Sequence, residues 1–77
     1  MLKGTRTAIL TKVQPVSIHG QVSYDVHYMF VEDDEERTHV ARVGREDVAH
    51  GLEPGDRVVL EILLNQVIRV DRDRGHI

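Results

Sequence analysis

At 77 residues, with no cysteine and a formal charge of −3, the chain has room for one domain and excludes disulfides, thiolate nucleophiles and sulfur-ligated zinc. A chain this short buries only roughly 60% of the surface its unfolded form exposes, so a thin margin of stability and help from a partner are expected. The acidic balance argues against a nonspecific nucleic-acid binder, which carries a basic excess, and no apolar run nears the ~20 residues of a membrane helix.

Residues 1–6 lack the apolar stretch of a signal peptide, which makes a cytoplasmic chain with no membrane partner the expectation. Residues 5–13 are largely β-branched or aliphatic. Thr7, Ile9, Thr11 and Val13 alternate on one face, and Arg6, Ala8, Leu10 and Lys12 on the other. Pro15 cannot donate a ladder hydrogen bond, so pairing is expected to end near Gln14, with residues 15–20 as a loop reversing at Gly20.

The clearest pattern spans residues 21–32. Val22, Tyr24, Val26, Tyr28 and Phe30 occupy every second position, with Ser23, Asp25 and His27 between them. Period two makes a strand, because helical spacing would scatter these side chains around a cylinder. This face holds every aromatic residue of the chain. It could serve as a stacking platform for single-stranded nucleic acid, but a domain this small needs its largest apolar side chains in the core.

Five consecutive carboxylates follow, Glu32-Asp33-Asp34-Glu35-Glu36. Their mutual repulsion favours a solvated turn, and they lack the alternate spacing and glycine of a calcium loop. Centring the turn on Asp33-Asp34 returns the chain as a strand over 37–43. Tyr28 then faces His39, Val26 faces Ala41, Tyr24 faces Val43, and Asp25 meets Arg42 on the outer face. A slip of one residue would aim Val40 inward.

Gly44 ends that strand. Residues 45–50 suit one or two helical turns closed by Gly51, and Pro54-Gly55 marks a tight turn. A fourth strand is expected over 57–64, with Val58, Leu60, Ile62 and Leu64 on one face. Asn65-Gln66 turns the chain, and 67–70 return with Ile68 and Val70 in phase. Residues 1–70 are thus expected to form the domain and 71–77, alternating in charge, a flexible tail.

Five strands with one short helical turn between the third and fourth predict an all-β fold, a small five-stranded barrel. This order resembles oligonucleotide/oligosaccharide-binding (OB) barrels, and a Src-homology-type barrel shares the strand count. Residues 43–70 also resemble the second half of AbrB-type swapped-hairpin DNA-binding domains, in which a strand leads to a short helix, a Leu-x-x-Gly-Asp turn and a terminal hairpin, here residues 60–70. Leu52, Gly55 and Asp56 match that turn. Gly44 stands where the family has a proline, and only Arg42 and Arg45 are counterparts of its basic residues.

Chemistry has little to build on. His27 and His39 fall on opposite faces and no histidine pair has the close spacing of a metal site, so neither metal nor cofactor is expected. Ser17 near His19 and Ser23 near His27 are neighbours in sequence, not a triad, and no nucleophile elbow or phosphate-cradling glycine loop is present. No enzyme is expected. The sequence reads as a small binding or protein-interaction module, with a second copy as one candidate partner. The alternative is a nucleic-acid-binding protein, OB-type or AbrB-like, using a local patch of Arg6, Lys12, Arg42, Arg45, Arg57 and Arg69.

Overall fold

The computed structural model describes residues 3–74. Strands β1 (Lys3–Ile18), β2 (Gln21–Phe30), β3 (His39–Gly44), β4 (Arg57–Leu63) and β5 (Gln66–Arg72) form one antiparallel sheet, with a 3-10 turn at Arg45–Asp47 between β3 and β4. The spatial order is β3-β2-β1-β4-β5. Its first four strands make a Greek key, three consecutive strands plus a fourth that returns beside the first. The sheet is not closed into the expected barrel. Its end strands, β3 and β5, share no ladder among the described residues. One parallel bridge, Val48 with Val70, joins the seam at one end, where the Ala49 N–H donates to the Val70 carbonyl at 2.9 Å.

The β2–β3 register is the one expected: Tyr28 with His39, Val26 with Ala41, Tyr24 with Val43 and Asp25 with Arg42. Val40 accordingly points outward, 59% exposed. Each strand gives side chains to one core: Ala8 and Leu10 from β1, Val26 and Tyr28 from β2, Val43 from β3, Val58 and Leu60 from β4, and Val70 from β5. Tyr24 and Phe30 pack half-buried against it, so the aromatic face looks inward.

Four further expectations change. Strand β1 continues past Pro15 to Ile18, because beyond Ile9 it has no β4 partner and proline is tolerated where a strand has a neighbour on one side only. Thr11 is an extra residue between Leu10, opposite Tyr28, and Lys12, opposite His27. This bulge switches the phase, so that Ala8, Leu10 and Val13 share the inner side and Lys12 turns out. At the same corner the Gly55 N–H donates to the Leu10 carbonyl at 2.7 Å, and the Leu10 N–H to the Asp56 carbonyl at 2.9 Å.

The β4–β5 turn is Leu64-Asn65, with φ of 53° and 66°, one residue earlier than expected. Both central residues of a type I′ turn need positive φ, which asparagine tolerates and leucine adopts at a cost. Leu64 is therefore exposed at the turn instead of continuing the buried face. Finally, the charged segment expected as a tail from residue 71 is strand through Arg72, and the Asp73 N–H donates to the Arg57 carbonyl at 3.0 Å. Residues 75–77 of that expected tail lie outside the described residues.

Candidate functional site

The open end of the β3–β5 seam is a cleft of about 320 Å³ lined by Tyr28, Val40, Ala41, Arg42, Asn65, Gln66 and Val67. Neighbouring strands alternate in direction throughout the sheet, so β3 and β5 run the same way. A single extended segment lying between them would be antiparallel to both, the better-bonded arrangement on each side.

Three stretches of strand edge are open among the described residues, and they differ in protection. Beyond Ile9, β1 carries the Thr11 bulge and Pro15. Strand β5 has an extra residue, Ile68, between the Val67 and Arg69 pairings, and ends in charge with Arg69, Asp71 and Arg72. Proline, bulges and charge are the usual devices against unwanted strand pairing. Strand β3 (HVARVG) has no proline or bulge and presents Val40 near its middle.

Three of the six cations expected to form a patch are neutralised. Arg42 holds Asp25 through two bonds, Nε to Oδ1 at 2.8 Å and Nη2 to Oδ2 at 3.2 Å. This keeps the Asp25 carboxyl below its ordinary range, with the nearby charges of Arg42 and His27 adding and desolvation opposing. Arg57 binds Asp73 at 2.9 Å and Arg69 binds Asp71 at 3.0 Å. Arg6 lies on the inner side, its guanidinium carbon 3.6 Å from the centroid of the Phe30 ring. Lys12 stands on the outer face opposite His27, one pairing step from Asp25 and Arg42. Arg45 lies apart, in the 3-10 turn.

The structure therefore gathers Lys12, His27 and Arg42 on one face and disperses Arg6, Arg45 and Arg69. The bond between Arg42 and Asp25 was implied by the register itself. The cleft lining was not, because nothing in residues 39–42 or 65–67 separately indicates that the two segments face one another.

His39 packs its ring against Tyr28 and Phe30, with centroids 5.5 and 5.0 Å away. Its Nε2 is 4.0 Å from Asp33 Oδ2. Among the described residues, no group of three His, Cys, Asp or Glu side chains is arranged to hold a metal ion, and no helix is long and apolar enough to cross a membrane.

The chain matches no family model, no curated protein and no solved structure. The residues behind the AbrB-type resemblance have a local role. Gly55 and Asp56 tie the turn to Leu10, and Asp56 Oδ2 also accepts from the Glu53 N–H at 2.8 Å and from Arg72 at 3.3 Å.

Proposed function

We propose that this protein is a small, non-catalytic binding module that takes up an extended polypeptide segment at the open end of its β3–β5 seam. The observation that carries the reading is the pairing of a β3 edge free of proline and bulge with a cleft that a strand antiparallel to both walls would fill. Alternate side chains of such a segment would meet Tyr28, Ala41 and Val67 within the cleft and Val40 outside it.

An OB-like assignment of the fold is part of the same proposal. The Greek-key order, the short 3-10 turn between β3 and β4, and a seam bridged at one end only all support a partly open barrel of that kind. Such barrels bind on the face of their second and third strands, flanked by the turn between the fourth and fifth. The cleft is bounded by those elements.

Selection from a displayed library of random linear peptides, followed by amide NMR of the intact chain, tests the proposal. Selected peptides should shift residues 39–42 and 65–67, and Val40→Lys should abolish binding. Failure to select any peptide, or shifts mapping to other strands, would end it.

The juxtaposition of Lys12, His27 and Arg42 favours a second reading, contact with a nucleic-acid backbone across the outer face. It requires binding that weakens steeply with salt and with Lys12→Gln. A gel-shift series with single- and double-stranded DNA showing no retention at low salt removes it.

A further inference from the structure

We propose that the recess beside Arg45 binds a phosphoryl group. It lies towards the Tyr24 end of β2, while the acidic loop follows the other end. The recess encloses about 100 Å³ between Val13, Val48 and Leu52, with Tyr24, Arg45 and His50 as its polar side chains. Among the described residues, no carboxylate lines it.

That composition is unusual in a chain of charge −3, and the local folding accounts for it. The two acids beside Arg45 in sequence are engaged elsewhere. The Glu46 carboxylate folds back over Gly44, its Oε1 only 2.7 Å from where a Cβ on that glycine would stand. Asp47 lies within electrostatic reach of Arg69. The positive-φ turn at Gly51 brings a second guanidinium to the rim: Arg72 Nη2 stands 3.7 Å from a Cβ position on Gly51 and donates to the His50 carbonyl at 3.0 Å, while its Nη1 is held by Asp56 at 3.3 Å. Arg42, Arg57 and Arg69 each have a carboxylate partner within 3.0 Å, whereas no ion pair is formed by Arg45 among the described residues.

A tetrahedral oxyanion presents several acceptors at once. It suits the planar fork of an arginine together with a phenol hydroxyl and an imidazole N–H, which a planar carboxylate would use less fully. The apolar walls limit entry to the phosphoryl group itself, leaving the remainder of an ester outside.

The test is an amide NMR titration of the full chain at constant ionic strength. Inorganic phosphate, a nucleoside monophosphate and acetate serve as separate probes. Saturable shifts at residues 45 and 49–52 are expected with phosphate or the monophosphate, at dissociation constants of about 1 mM. Arg45→Gln should weaken them about tenfold, and Arg37→Gln, in the acidic loop, should leave them unchanged. Tighter binding of the monophosphate assigns the site to phosphate esters, and equal binding assigns it to the free ion; both support the site. No saturation by about 50 mM probe, unchanged affinity in Arg45→Gln, or acetate binding as strongly as phosphate would overturn it. The spectrum of each variant reports whether its fold is intact.

Discussion

The two ends of the β3–β5 seam are built from the same strands and behave oppositely. At the closed end Val70 is fully buried and bridges Val48, and its carbonyl accepts the Ala49 N–H. At the open end Val67 is half-buried and lines a cleft with Ala41, while Val40 at its margin is mostly exposed. The 3-10 turn makes the difference by laying residues 48–49 against β5, and among the described residues no segment does this for residues 39–42. A curved sheet that falls short of closure can thus concentrate its stability at one end and leave pairing capacity at the other.

The largest contrast should come from truncating each end. Val70→Ala is expected to cost about 2 kcal/mol in chemical denaturation, through lost burial plus a residual cavity. Val67→Ala should cost less than about 1 kcal/mol, because its site can relax into the cleft. Equal losses would mean that the two ends are packed alike.

Next in size is the alkaline response of Tyr28, which belongs both to the core and to the cleft floor. Burial raises its phenol above the ordinary range, partly opposed by Arg6. The neutral form is favoured in the folded state, so the full stability is present below about pH 10 and is lost as pH rises beyond it. Tyr28→Phe should remove that part of the alkaline loss, as read from thermal melts between pH 8 and pH 11.

A smaller effect is expected from Asp25 on the outer face. Its carboxyl is held low by the hydrogen bond from Arg42, so the stabilisation is present above the usual aspartate range and fades below about pH 4. Asp25→Asn should flatten the acid limb slightly, and added salt should shrink the difference because the pair is exposed. Smallest of all should be the stability effect of Val40→Lys, within about 0.5 kcal/mol, although it places a charge on the open edge. A large destabilisation would show that Val40 already has a partner.

Much of the sheet was legible in the sequence. Period two between Val22 and Phe30 fixed the inner face, and the carboxylate run fixed the hairpin register through Asp25 and Arg42. Both signals are local, and a strand's side-chain alternation leaves few ways to satisfy them. What was missed depends on distant partners. The Thr11 bulge follows from β1 leaving β4 for β2 alone, and no property of Thr11 announces it. Leu64 in a type I′ turn contradicts local preference and reflects where β5 must begin. The expected arginine patch leaves out the carboxylates of residues 71 and 73, because alternating charge with no apolar face predicts a tail there. The cleft exists because the sheet stops short of closing, a difference of strand curvature with no mark in residue spacing.

Native-state hydrogen exchange tests the central claim most directly. The Ala49 amide, bonded across the closed end, should be protected, whereas those amides of residues 39–42 that point away from β2 should exchange rapidly in the free chain. Matching protection along the whole seam would mean that β3 and β5 are already paired, leaving no open edge for a ligand to complete.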